Sequence, residues 1–212
     1  MMYRFTAGFA FFLIAAALVP SPSSGQIVDL CGSDASSNGG CIRVCPKGDG
    51  DHLSDIGATI YVTVISQDQP IPNIPAADFW LIGCDPLEEM VLCSGSASSN
   101  ADHPTDQQGQ TTISGPIAAG GCSDGLALIV QGIIIPDPDA DCSVWLCLPI
   151  NARSSDLDGN NIVDLPDLAL FAAVFVGGPY DKCMDLNCDG SVGLQDLALF
   201  AEHFEPVRHR CL

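Results

Sequence analysis

The chain has 212 residues, with 26 acids against 7 lysines and arginines, for a net charge of −19 at pH 7. A field of that sign repels nucleic acid and anionic membranes, which argues against both as partners. The N-terminus, MMYRFTAGFAFFLIAAALVPSPSSGQ, holds one cation, Arg4, and then an uncharged apolar run from Ala7 to Val19 closed by Pro20. That run is shorter than the ~20 apolar residues a membrane-spanning helix needs, and Ser23 and Gly25 suit cleavage before Gln26. Residues 1–25 therefore read as a signal peptide, and the mature protein as secreted or displayed at the cell surface. No later stretch is long and apolar enough to span a bilayer. All 11 cysteines follow the cleavage point, as expected of disulfides in an oxidising compartment. Cys41 with Cys45, Cys142 with Cys147 and Cys183 with Cys188 lack the two-residue gap of a zinc knuckle, and no histidine pair completes a site. The odd total leaves one thiol free or bonded to another molecule.

Strand patterns dominate from Gly57 to Leu148. ATIYVTVIS alternates and is β-branched, and DFWLIGC, MVLC, QTTIS, GLALIVQGIII and SVWLCL are short apolar runs bounded by turn residues. Short strands without a helical period predict an antiparallel sandwich over residues 26–153. YVTVISQDQPIPNI is similar to the first hairpin of secreted bacterial immunoglobulin-like domains, and TDQQGQTTISGPI resembles a further segment of them. The resemblance implies an immunoglobulin-like sandwich.

No catalytic constellation stands out in this region. His52 and His103 lie in polar loop sequence, and Ser94 and Ser96 lack the setting of a nucleophile elbow. Glu88 and Glu89 are strand neighbours that face opposite sides. Trp80 and Trp145 lie inside apolar runs, which predicts core positions.

The remainder, 154–212, contains a repeat. SDLDGNNIVDLPDLALFAAVF and MDLNCDGSVGLQDLALFAEHF place their first aspartates, Asp156 and Asp185, 29 residues apart. Side-chain oxygens occupy places one, three, five and twelve of each loop: Asp156, Asp158, Asn160 and Asp167 in the first, Asp185, Asn187, Asp189 and Asp196 in the second. A calcium loop presents its ligands at these places, with the carbonyl of place seven, here Ile162 or Ser191, as one more. Asp164 adds a carboxylate at place nine of the first loop, whereas Gly193 supplies none in the second, so the first loop is expected to bind more tightly. Place six must turn sharply; Gly190 does so freely and Asn161 at small cost. Valine at place eight of both loops, Val163 and Val192, suits a β-bridge between them. Two calcium ions are the expected cofactors.

A helix follows each loop. Leu168, Phe171 and Phe175, and likewise Leu197, Phe200 and Phe204, form apolar stripes that require the two helices to pack together. Gly177, Gly178 and Pro206 mark their ends. Tandem calcium loops, each with its following helix, at the end of an exported chain resemble a type I dockerin. The resemblance implies a small all-α domain that binds two calcium ions and docks onto a cohesin-type partner. The contacts to that partner would come from places ten and eleven: Leu165 with Pro166, and Leu194 with Gln195. A bond from Cys183 or Cys188 to Cys211 would staple the terminus.

The expected whole is thus a mainly β, immunoglobulin-like sandwich followed by an all-α dockerin-like domain. Its expected role is that of an exported, non-catalytic adaptor, associated through the resemblance with extracellular polysaccharide-related assemblies. A calcium-stabilised structural protein without a cohesin partner is the alternative, and a secreted polysaccharide hydrolase a further one.

Overall fold

The computed structural model describes residues 31–84, 90–92, 99–137 and 143–205. The expected signal peptide, Glu88, Glu89, Ser94, Ser96, Pro206 and Cys211 lie outside the described residues. In chain order the strands are β1 (Asp34–Ser36), β2 (Gly40–Val44), β3 (Ile60–Thr63), β4 (Ile65–Ser66), β5 (Gln69–Pro70) and β6 (Phe79–Gly83). They continue with β7 (Val91–Leu92), β8 (Gln110–Ile113), β9 (Ala119–Gly120), β10 (Cys122–Val130), β11 (Ile133–Ile134) and β12 (Leu148–Ser154). Helices α1 (Leu165–Phe175) and α2 (Leu194–Glu202) close the chain. Among the described residues no helix is long and apolar enough to cross a membrane.

Two sheets enclose one core. The first has the order β1-β3-β8, antiparallel throughout. In the second, β10 pairs with β6, β11 and β12, and β12 pairs with β2. Alternation decides which side chains meet. Ile60 and Val62 of β3 point inward while Tyr61 is exposed, and Phe79 and Leu81 of β6 join Leu126 and Leu128 of β10 in the same buried cluster. The β2–β12 pair is parallel, with Ala152 opposite Ile42 and Ser154 opposite Val44, so the expectation of a wholly antiparallel sandwich fails there. The long excursion between β2 and β12 frees them from hairpin geometry, and the parallel register sets Ile42 and Val44 into the core.

Neither tryptophan takes the core position its sequence setting suggests. Trp80 lies on the outward side of β6, half-buried, opposite Ile129, and Trp145 is 47 % exposed beside Pro136. Phe79 and Leu81 already occupy the inward positions of that strand, and a run of five apolar residues has to turn some of them outward.

The β4–β5 hairpin turns through Gln67 and Asp68, at φ +50° and +62°. Two-residue hairpins need left-handed backbone that glycine adopts freely and other residues at a cost. Relief of a left-handed cost of about 1–2 kcal/mol exceeds the entropy glycine adds to the unfolded chain, so Asp68→Gly should raise stability by about 0.5–1 kcal/mol, read as an upward shift in denaturant midpoint.

The C-terminal segment departs from expectation. The chain is mainly β, and a small all-α domain is not seen: α1 has 11 residues and α2 has 9, and between them lie a loop and a single 3₁₀ turn at Lys182–Met184. The repeated loop sequences account for this, because their aspartates accept backbone N–H groups in non-helical turns. The helices do pack together, with Phe171 and Phe200 buried and their ring centroids 5.6 Å apart. These rings anchor a second apolar cluster with Val163, Met184 and Leu186. Val163 forms its β-bridge with Glu205, not with Val192.

The segment is bolted to the β body. Cys188 is bonded to Cys41 of β2, and Cys183 to Cys122 of β10, so neither reaches Cys211 as the sequence reading supposed. Cys84–Cys147 is a bond within the body, Cys31 is also disulfide-bonded, and Cys45 is a free, buried thiol. Ion pairs add to these links: Arg43 holds Glu202 at 2.8 Å, and Asp124 takes both Arg153 and Lys182. The bonds suit an extracellular setting.

Candidate metal centre

β12 runs to Ser154 and delivers the chain directly into the first loop. The Ser154 hydroxyl accepts the Asp156 N–H at 3.1 Å, and the Gly121 N–H donates to the Asp156 carbonyl at 2.6 Å. The Asp156 side chain lies so close over Gly120 that a Cβ there would overlap its carboxylate. The first place of the loop is thereby pinned against the β body.

From this anchor the loop winds round its own carboxylates. Asp156 accepts from the Asn160 N–H at 3.0 Å and from the Asn161 N–H at 2.9 Å. Asp167, at the start of α1, accepts from Leu157 at 2.7 Å, Asp158 at 3.1 Å and Asp164 at 2.9 Å. Asn161 stands at φ +67°, as place six requires. The result is a convergence: carboxylate oxygens of Asp156, Asp158 and Asp167 lie within 4.8 Å of one another. Two further side-chain oxygens, Asn160 Oδ1 and Asp164 Oδ1, are buried with no hydrogen-bond partner. An uncompensated buried oxygen costs about 1–3 kcal/mol, and both belong to residues at ligand places, five and nine. The donor set is all oxygen, as a hard divalent cation prefers. Asp156, Asp158, Asn160, Asp164 and Asp167, with the Ile162 carbonyl at place seven, are the residues that would hold it.

The second loop repeats the backbone. Gly190 at place six has φ +89°, and place four is also left-handed in both loops, Gly159 at +68° and Cys188 at +56°. Asp185 accepts from Asp189 at 3.1 Å and Gly190 at 2.8 Å, and Asp196 from Asn187 at 3.2 Å and Gly193 at 2.8 Å. Yet Asp185, Asp189 and Asp196 form no trio like that of the first loop among the described residues. Asp189 is turned to its neighbours instead, taking the Ser191 N–H and hydroxyl on one oxygen and the Asn187 amide on the other. Those bonds hold its carboxyl below the ordinary range.

Burial separates carboxylates with different tasks. Asp156, Asp167, Asp185 and Asp196, at places one and twelve, are each at most 2 % exposed. Burial pushes the Asp156 carboxyl up to about 6, the Asn161 N–H opposes this, and the charge of Asp167 adds to it. Burial likewise raises Asp167. A carboxyl raised in the folded state favours folding while protonated. That contribution is complete below the unfolded value of about 4 and is lost as pH rises through the folded value. Chelated protein should accordingly lose stability between about pH 4 and 6, and calcium should cancel the loss by replacing the proton; thermal melts with and without chelator measure both.

The residues expected to meet a partner are all exposed: Leu165 at 68 %, Leu194 at 74 %, with Pro166 and Gln195 beside them. Gln195 also accepts the Asn187 amide at 3.0 Å, which ties it to the second loop. Sequence reasoning missed Gly120 and Gly121 under Asp156, and Tyr180, whose hydroxyl donates to Asp185 at 2.8 Å. The local sequence carries no signal for either. No protein-family model matches the chain, and neither a curated protein nor a solved structure matches it.

Proposed function

We propose that the protein is an exported, non-catalytic adaptor whose two C-terminal loops bind calcium and whose adjoining helix starts dock onto an extracellular protein. The observation that carries this reading is the first loop, where three carboxylates converge beside two buried oxygens that lack partners. A divalent cation relieves the mutual repulsion of the three and satisfies the two. Calcium would also fix places nine to twelve, and so the start of each helix, from which Leu165, Pro166, Leu194 and Gln195 project. The two-sheet, mainly β body serves as the carrier. The dockerin resemblance names the partner class, a cohesin-type module.

Calorimetry on metal-stripped protein tests the metal: the expected result is two binding events, the tighter at the first loop, and absence of any heat counts against the reading. Binding to immobilised cohesin-type modules, with calcium and with chelator, tests the docking. Calcium-dependent capture that Leu165→Asp and Leu194→Asp abolish is the expected result.

A second reading has its own support. Asp156 is packed onto Gly120, and two disulfides fix the segment to the body, an arrangement suited to a calcium-stapled structural cap. In that case calcium raises the melting temperature but no module is captured.

A further inference from the structure

We propose a third metal site, of different chemistry, in which Cys45, Asp49 and His203 bind a zinc-like, borderline-soft divalent cation. A thiol, a carboxylate oxygen and an imidazole nitrogen of these residues lie within 4.8 Å of one another. They come from two segments that the fold brings together: the turn after β2 and the C-cap of α2. The turn is tight, with the Gly48 N–H on the Cys45 carbonyl at 2.8 Å and the Asp51 N–H on the Arg43 carbonyl at 2.9 Å. Two ion pairs clamp the helix end against it, Arg43 with Glu202 at 2.8 Å and Lys47 with Glu205 at 3.6 Å.

The Cys45 thiol is hydrogen-bonded to Asp49, whereas the imidazole is spaced for a shared ion rather than for direct bonding to the carboxylate. His203 Nδ1 is 3.7 Å from Asp49 Oδ1, too long for a hydrogen bond. Ligands on a tetrahedral zinc, each about 2.0–2.3 Å from the metal, stand roughly 3.3–3.5 Å apart. Asp51, the other carboxylate of the turn, is already engaged by the Arg43 guanidinium at 2.6 and 3.0 Å. Besides the thiol and the long contact to His203, Asp49 meets the exposed Lys47 at 3.3 Å, and that side chain can swing into solvent. Three protein ligands leave a fourth position for water. Burial pushes the Cys45 thiol up to about 12, so the metal-free sulfur carries a proton. That proton passes to solvent as the metal–sulfur bond forms, with no change in oxidation state.

The test uses the full chain, stripped of transition metals and saturated with calcium so that the loops are filled. One equivalent of cobalt(II) should give a thiolate-to-metal charge-transfer band and the visible bands of four-coordination, both displaced by zinc. Cys45→Ser should lose the charge-transfer band. His203→Gln, at the half-buried C-cap of α2, should keep it but weaken cobalt binding at least tenfold. Should Cys45→Ser fail to fold, the wild-type protein still decides the matter: zinc should slow modification of Cys45 by a thiol reagent, followed on the Cys45 peptide, and should not do so in His203→Gln. Absence of the charge-transfer band in the wild type, or zinc binding undiminished in both variants, overturns the site.

Discussion

Asp167→Ala should abolish calcium binding at the first loop and leave the second loop's ion in place, so that calorimetry counts one ion where two are expected for the wild type. The carboxylate has two tasks. It belongs to the converging trio, and it accepts three backbone N–H groups, from Leu157, Asp158 and Asp164. Each donor left unmatched in a buried site costs about 1–3 kcal/mol, although water relieves those near the surface. Alanine gives back at most a few tenths of a kcal/mol in helix propensity, so the loss wins clearly. Calcium at a hundredfold excess over its dissociation constant stabilises a protein by about 2.7 kcal/mol, and the variant forfeits this too. The expected destabilisation in calcium is about 3–5 kcal/mol. Asp196→Ala removes two acceptances, from Asn187 and Gly193, and should spare the first loop. Full retention of two ions by Asp167→Ala would contradict the assignment.

The difference between what was legible and what was not follows sequence distance. The spacing of side-chain oxygens in both loops is local, so that over Asp156 to Asp167 and Asp185 to Asp196 it could be read directly, as could the left-handed turns at Asn161 and Gly190. Strands β3, β6, β8 and β10 announce themselves by alternation or by apolar runs. Strands β1, β2 and β12 do not. β12 reads LPINARS, with a proline at its second position and a buried arginine, Arg153. That charge is tolerated because its guanidinium donates to the carbonyls of Ser123 and Ala152 and to Asp124, partners that no local pattern announces. The helices were legible by their phenylalanine spacing, but not that the segment would be loops and short helices fixed to a β body. The contacts that fix it pair Cys41 with Cys188, Cys122 with Cys183 and Gly121 with Asp156. Cysteine counting predicts disulfides without saying which sulfurs meet.

Removing the Cys41–Cys188 bond separates two contributions that a single variant would confound. The bond closes 147 residues, for which chain entropy assigns about 5 kcal/mol when it is considered alone; the other bonds already restrict part of that loop, so less is realised. Cys188 also stands at place four of the second proposed calcium loop, with φ +56°. Once the crosslink no longer holds it there, a residue with a Cβ must bear about 1–2 kcal/mol for that conformation. The matching place in the first loop is Gly159, at φ +68°, which bears no such cost. Cys41→Ala with Cys188→Ala should therefore lose both the crosslink and the preformed loop: a melting temperature lower by ten degrees or more, and second-site calcium affinity down about tenfold. Cys41→Ala with Cys188→Gly should lose comparable thermal stability yet keep second-site affinity near the wild-type value, because glycine enters the left-handed turn without the Cβ clash. Equal calcium affinities in the two double variants would mean that the disulfide acts only as a tether, and that the turn at place four contributes nothing to the metal loop.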